Sequence, residues 1–359
     1  MQTNVFTRNP VLRGYWYAVA RSSDVVPGPL AVTVLGEPIV LWRPEGCALT
    51  AARDRCPHRE APLSLGRVID DCLQCAYHGW TFGTSGACVC IPSLPLERSV
   101  PPTAHLTTVH VTELYGLVWV SLDAPVADIP VMACDGDARF RRINTTVEVW
   151  QASATRMIDN FMDISHVPWV HTGTFGRAQN TYVPPITLAQ LDDDFYGYRY
   201  EIEANNPDAA TVTSGSHAPV IARSMTTGFS LPFTTRSTIR YATGLEHILL
   251  LLTTPIDDVT SYFTFVVWRN DDFSVSADEV VAFDRRIGME DKAMLERIPG
   301  VLSLDVAATV SVQADRPSLA WRRQFVALLQ AAAHRESCKG GKPHVHGPST
   351  QTCRANLPL

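Results

Sequence analysis

Arg55-Cys56-Pro57-His58 and Cys75-Ala76-Tyr77-His78-Gly79-Trp80 are the two stretches that decide how this chain folds and what it carries. Each supplies one thiol and one imidazole, the first as C-x-H and the second as C-x-x-H, with one long loop between them. Two thiolates and two neutral imidazoles divided in this way match a [2Fe-2S] centre in which two Cys hold one iron and two His hold the other. Pro57 stiffens the first loop. Tyr77, Gly79 and Trp80 suit a tight turn in which backbone N–H groups approach bridging sulfides while a ring keeps water away.

That ligand pattern is the Rieske pattern, and it makes electron transfer the first functional expectation. The same region admits another assignment. Cys72 stands three residues before Cys75, so Cys56, His58, Cys72 and Cys75 would make a structural zinc site. Zinc leaves His78 and its surroundings without a purpose, whereas the iron-sulfur assignment uses both half-motifs and leaves Cys72 as a small buried or edge thiol.

The chain has 359 residues, too many for a small ferredoxin and enough for about two domains, and 46% hydrophobic residues supply sizeable cores. A net charge of -6 without a Lys/Arg block argues against nucleic acid or an acidic membrane surface as partner. The start, M-Q-T-N-V-F-T-R-N-P, lacks the apolar segment of a signal peptide, and no run of ~18 apolar residues occurs, so the expectation is a soluble, cytoplasmic protein without a membrane span. Nine scattered cysteines suit a reducing compartment better than a disulfide framework. Cys88 and Cys90 read as residues on one face of a strand.

The first third reads as short strands, Ala31 to Leu35, Ile39 to Arg43 and Ala48 to Arg53, separated by Gly36-Glu37-Pro38 and Pro44-Glu45-Gly46 turns and leading into the first ligand loop. Gly83 to Gly86 is a turn, and Tyr115 to Leu122 is an apolar, β-branched run fit for a buried strand. Residues 1–123 are therefore expected to form an all-β domain. A proline-bearing linker over 124–131 follows, then a second domain over 132–335 and a flexible tail over 336–359. In the second domain, strand-like runs at Thr145 to Trp150, Tyr196 to Glu203, Thr234 to Tyr241, His247 to Thr254 and Ser261 to Trp268 predict one large antiparallel sheet. Helices are expected around it at Ser153 to Val167, Ser276 to Arg297 and Asp315 to His334, so the fold class is α+β.

A second motif lies there: Asn160-Phe161-Met162-Asp163-Ile164-Ser165-His166-Val167-Pro168-Trp169-Val170-His171. On a helix Asp163 and His166 share a face, and Pro168 ends or kinks that helix so that His171 swings back towards His166. Two imidazoles can then meet one metal, and two His with one carboxylate form the facial triad of non-haem Fe(II) oxygenases.

With both motifs present, the chain resembles the Rieske non-haem iron oxygenases, specifically the oxygenase component of the vanillate O-demethylase-like monooxygenases, over roughly residues 10 to 335. The resemblance implies that Cys56, His58, Cys75 and His78 hold the Rieske cluster and that His166 and His171 bind a mononuclear Fe(II). It implies Asp291 as the third ligand, while spacing alone leaves Glu290, Asp284 and Glu296 open as competing carboxylates. Asp163 resembles the family's bridging acid, which joins a cluster histidine of one subunit to an iron-binding histidine of the next in a ring-shaped homotrimer. Asn160 is implied to sit near the iron, its other role being that of an ordinary polar residue of the helix.

The resemblance further implies NADH electrons delivered by a separate reductase, with or without a ferredoxin, since the chain shows no Gly-rich dinucleotide fingerprint. Dioxygen and a small aromatic or heterocyclic compound are the implied substrates, and demethylation or hydroxylation the implied reaction. A ring-dihydroxylating dioxygenase and a Rieske electron-transfer protein without oxygenase activity are the alternatives. The substrate pocket is expected over the sheet, with His247 on its strand as a candidate contact to a carboxylate or carbonyl.

Overall fold

The structure, a computed structural model, describes residues 6–339 apart from 27, 47 and 96. Its first part is all β: β1 (Tyr17–Arg21), β2 (Leu30–Val34), β3 (Glu37–Trp42), β4 (Thr50–Arg53), β5 (Arg67–Ile69), β6 (Cys72–Gln74), β7 (Thr81–Phe82), β8 (Cys88–Cys90), β9 (His110–Leu114) and β10 (Leu117–Ser121). They form three small antiparallel sheets, ordered β1-β10-β9, β2-β3-β4 and β5-β6-β7-β8. The β2–β3 hairpin turns at Leu35 and Gly36, both with positive φ, so Glu37 and Pro38 belong to the strand and not to the turn.

The second part comprises β11 (Arg141–Asn144), β12 (Glu148–Trp150), α1 (Ala154–Phe161), α2 (Val167–Val170), β13 (Ala189–Gln190), β14 (Tyr196–Asn205), α3 (Thr211–Ser214), β15 (Val220–Ser230), β16 (Thr234–Tyr241), β17 (Glu246–Pro255), β18 (Ser261–Arg269), α4 (Ala277–Leu295) and α5 (Arg316–Lys339). One antiparallel sheet runs β11-β18-β17-β16-β15-β14-β13, and β12 also pairs with β18. The fold is α+β, an all-β N-terminal part followed by a large antiparallel sheet with helices around it.

Four expectations change. β15 was not anticipated, because V-I-A-R-S-M-T-T-G-F-S carries too many polar residues to read as a central strand. The helix expected over Ser153 to Val167 stops at Phe161, because the Asp163 carboxylate accepts from the backbone N of Ser165 (2.9 Å) and of His166 (3.0 Å), an alternative to helical bonding. Pro168 does not end a helix but sits in the first turn of α2, where its missing N–H costs nothing. The tail was expected from residue 336. α5 continues to Lys339, and residues 340–359 lie outside the described residues.

The two parts share cores. Phe6, Leu12, Tyr17 and Val19 pack in one cluster with Tyr198, Phe229, Trp321 and Phe325, while Tyr115 and Trp119 pack with Leu250 and Trp268 in another. A third cluster, with Val40, Trp42, Leu63, Leu73 and Phe82, surrounds Cys56 and Cys75 alone. No helix among the described residues is long and apolar enough to cross a membrane.

Candidate active site

Two near-identical turns present the first ligand set. Glu60 N donates to Cys56 O (2.9 Å) in one loop, and Gly79 N donates to Cys75 O (3.1 Å) in the other. Gly79 has φ +70, and a Cβ there would lie 3.1 Å from the Pro92 ring, so this turn needs glycine. Cys56 and Cys75 are buried at the base of the loops. Burial pushes the Cys56 thiol up to about 11, with the neighbouring Cys75 adding to the effect, so a cation is what would turn Cys56 into a thiolate. The His58 ring stacks on Trp80 (4.5 Å, 7°) and lies 4.5 Å from the His78 ring. Its Nδ1 is buried without a hydrogen-bond partner, as a lone pair reserved for a metal would be.

Cys72 sits on β6 opposite Ile69. The single group of three metal-binding side chains within 4.8 Å among the described residues lies elsewhere, so Cys56, His58, Cys72 and Cys75 do not close into the four-ligand zinc cage. Two irons bridged by sulfides need a more widely spread donor set, which the paired loops provide.

The close group is His166, His171 and Asp291. The Asp163 turn presents His166, α2 hands His171 back towards it, and α4 brings Asp291 across the sheet. His166 Nδ1 faces Asp163 Oδ2 at 3.1 Å, and His171 Nδ1 faces Glu290 Oε2 at 3.0 Å. A carboxylate accepts, so both Nδ1 atoms carry a proton, and in the neutral ring each Nε2 is a bare lone pair. These two lone pairs face each other at 3.2 Å, with Asp291 Oδ1 at 3.6 and 3.4 Å from them. Two ring nitrogens and one carboxylate oxygen turned towards one another make a cation site once their protons leave.

Burial, with His166 and Arg223 nearby, holds the His171 imidazolium down to about 3, so the ring is neutral as a ligand must be. Burial pushes Asp291 up to about 6, a cost that His166 and the Asn160 amide offset only in part. For His166 burial is opposed by the Asp163 hydrogen bond and by two carboxylates, leaving it raised. Asp163 is itself lowered, because bonds from His166 and Ser165 outweigh its desolvation.

The competing carboxylates separate by position. Glu290 holds the outer nitrogen of His171 and accepts from Thr174 Oγ1 (2.7 Å), Glu296 accepts from Gln151 N (2.9 Å), and Asp284 faces His247. Asn160 Nδ2 donates to Asp291 Oδ1 at 3.0 Å. Sequence reasoning missed Glu290 and Thr174 as the supports of His171; adjacent helix positions point about 100° apart, which is the only hint that Glu290 and Asp291 would divide their roles.

A cavity of about 150 Å³ opens from this group, lined by Phe161, Phe175, Tyr198, Tyr200, Met225, Ile239, Leu249, Leu251, Phe265 and Phe283, with Arg223 and Asp284 among the charged residues of its wall. A space of that order accommodates one small ring. His247 shares the cavity-side face of the sheet, in register with Ile239, but it does not line the cavity. It is fully buried, its Nε2 3.0 Å from Asp284 Oδ2 and its Nδ1 3.4 Å from Arg269 Nη1, so its placement does not match the expected direct contact with substrate.

A cysteine-histidine pair of loops on small sheets, joined to a two-histidine, one-carboxylate cage over a large antiparallel sheet, defines the class of Rieske-type non-haem iron oxygenases. The chain belongs to the vanillate O-demethylase oxygenase family: the family's C-terminal domain matches residues 150–331, and a Rieske [2Fe-2S] domain matches residues 15–102. It is 30% identical over 356 residues to methylxanthine N1-demethylase NdmA of Pseudomonas putida, covering 96% of this chain and 97% of that protein. It is also 30% identical to the toluene-4-sulfonate monooxygenase system iron-sulfur subunit TsaM1 of Comamonas testosteroni, over 81% of this chain and 89% of that one. The structure of P. putida NdmA with caffeine superposes with a TM-score of 0.78 at 29% identity, covering 92% of this chain and 94% of that one.

Proposed function

We propose that Cys56, His58, Cys75 and His78 hold a Rieske [2Fe-2S] cluster, and that His166, His171 and Asp291 hold the mononuclear Fe(II) at which a small aromatic or heterocyclic compound is demethylated or hydroxylated. The observation that carries this reading is the convergence of two Nε2 atoms and one carboxylate oxygen at the mouth of an apolar cavity. When bound, the two centres supply electron storage and dioxygen activation. The chain's own residues do the rest. Asp163 and Glu290 fix the tautomer and orientation of the two imidazoles, Asn160 steadies Asp291, and the cavity wall holds the substrate and keeps water from it. Overall, one atom of dioxygen enters a substrate C–H bond and the other leaves as water, with two electrons from NADH and two protons. Where the carbon is an O- or N-methyl group, the product loses formaldehyde.

The reading divides the chain into a cluster part over 1–123, a linker over 124–131 and a catalytic part over 132–335. It makes the working form a homotrimer in the cytoplasm, served by an NADH-dependent reductase, directly or through a ferredoxin. In support, Asn160 and Asp163 also border a second hollow, open to the surface beside Asp159 and Arg322, where a neighbouring subunit can approach Asp163. Cys56, Cys72, Cys75, Cys88, Cys90 and Cys134 are free thiols, in keeping with a reducing compartment.

The test is iron and acid-labile sulfide per chain on anaerobically purified protein, with electron paramagnetic resonance of the reduced cluster. About three irons and two sulfides are expected from these two centres. Two irons with two sulfides would remove the oxygenase site, and zinc without sulfide would overturn both assignments.

A further inference from the structure

Arg223 is a buried cation without a carboxylate. It lies on β15, is 6% exposed, and lines the cavity described above. Its guanidinium carbon sits 4.4 Å from the centroid of Phe175, and it faces the hydroxyl of Tyr241, its neighbour in strand register. Its Nε is buried with no hydrogen-bond partner. Other shielded arginines of the catalytic part are each paired: Arg269 with Asp271 (2.6 Å), Arg322 with Asp159 (2.9 Å), Arg141 with Asp271 (2.5 Å) and Arg236 with Asp192 (2.5 Å). Among the described residues no acid forms an ion pair with Arg223, and Asp284, which shares the cavity, is turned to His247 instead.

Removing a guanidinium from water is costly unless an opposite charge and hydrogen bonds replace the solvent. Phe175 supplies one face of that replacement through a cation–π contact and the Tyr241 hydroxyl a hydrogen-bond partner, which leaves Nε without an acceptor and the charge without a counter-ion. The same Phe175 ring stacks on His171 (centroids 4.9 Å, 22°), so Arg223 stands one aromatic ring away from the metal cage. The rest of the wall is dominated by apolar and aromatic side chains.

We propose that Arg223 anchors an anionic group of the substrate, a carboxylate or a sulfonate on a small aromatic ring, and holds the opposite end of that ring towards His166, His171 and Asp291. The inference rests on the proposed function and deepens it: it selects aromatic acids over neutral heterocycles. The planar fork suits a bidentate oxyanion, and Phe175 keeps the fork flat while it waits.

The test is isothermal titration calorimetry on the metal-loaded protein, anaerobic and without reductant, using 4-methoxybenzoate, 4-methylbenzenesulfonate and neutral 4-methoxybenzamide. At least one of the two anions should bind roughly 30-fold tighter than the amide, and whichever does so names the oxyanion. Arg223→Met should abolish the preference, and Arg223→Lys should keep part of it, with iron and sulfide content unchanged in both. Amide binding as tight as that of both anions, or no saturable binding of either anion to the unmutated chain, overturns the proposal without any variant. A preference that survives Arg223→Met places the anion on the metal and overturns it too. Because iron and sulfide are counted on the same samples, loss of the metals would sink the oxygenase reading, whereas full metal content without an anion preference sinks this inference alone.

Discussion

Asp291 keeps its proton up to about pH 6 because it is buried at the cage, and this sets how the empty cage meets a cation. Below that pH the ion must displace the proton, so affinity falls by about tenfold per pH unit; above it, this carboxylate adds no slope. His171, held near 3, is neutral throughout and contributes nothing. His166, raised by its acidic neighbours, adds to the loss in the same direction as pH falls. Titrating Co(II) into iron-depleted protein at pH 5, 6 and 7 checks this, and Asp291→Asn should flatten the profile by the share of one proton while weakening binding throughout. Equal affinity at pH 5 and 6 would show that Asp291 is not in the cage. The proposed cysteine and histidine ligands were legible because C-x-H, C-x-x-H and the D-x-x-H-x-x-x-x-H run are chemistry written in adjacent positions. Glu290 and Arg223 were not, because a helix glutamate and a lone arginine in V-I-A-R-S-M acquire meaning only from what the fold sets beside them.

At the scale of elements, α4 carries three charged residues with three duties. Asp284 and Asp291 lie two turns apart on the cavity face, and Glu290 points to the flank of His171. The helix starts at a capping box: Glu279 N donates to Ser276 Oγ (3.2 Å) and Ser276 N donates to the Glu279 carboxylate (3.3 Å). Ser276→Ala should therefore lower stability by about 1 kcal/mol in urea titrations. Iron content should stay unchanged, because the cap lies at the far end of α4 from Asp291; loss of iron in this variant would mean that the helix register itself depends on the cap. This helix was expected over Ser276 to Arg297 and runs from Ala277 to Leu295, since an amphipathic run with a cap is a local signal. β15 and the break after Phe161 were hidden for the opposite reason. A strand that walls a cavity carries Arg, Ser and Thr where a core strand would carry Val or Ile, and one aspartate that binds backbone N–H groups two and three residues on overrides the helical preference around it.

At the scale of the molecule, the two centres rest on different cores. The cluster loops pack on Val40, Trp42, Leu73 and Phe82, whereas α4 and the cage lean on Trp150, Met157, Phe263 and Val280. Asp163, which holds His166, borders the cavity on one side and the surface hollow on the other. If electrons reach His166 through that side, they come from a cluster that docks in the hollow, and in a head-to-tail ring this belongs to the next subunit. Such an arrangement separates the two functions of one chain between neighbours, and that is measurable. Asp291→Ala removes the carboxylate of the cage and leaves the proposed cluster ligands intact, while His78→Ala removes one proposed cluster ligand and leaves the cage. Each variant alone should be inactive. Oligomers assembled from both, by co-expression with two affinity tags, should recover turnover, because a chain with an intact cage then sits beside a chain with an intact cluster. Recovery to about a third of the unmutated rate is expected, because each three-membered ring that carries both tags holds one productive head-to-tail contact of its three. Mixed oligomers that stay as inactive as the separate variants, with iron and sulfide present in the expected chains, would place electron transfer within a single subunit and remove Asp163 from its bridging role.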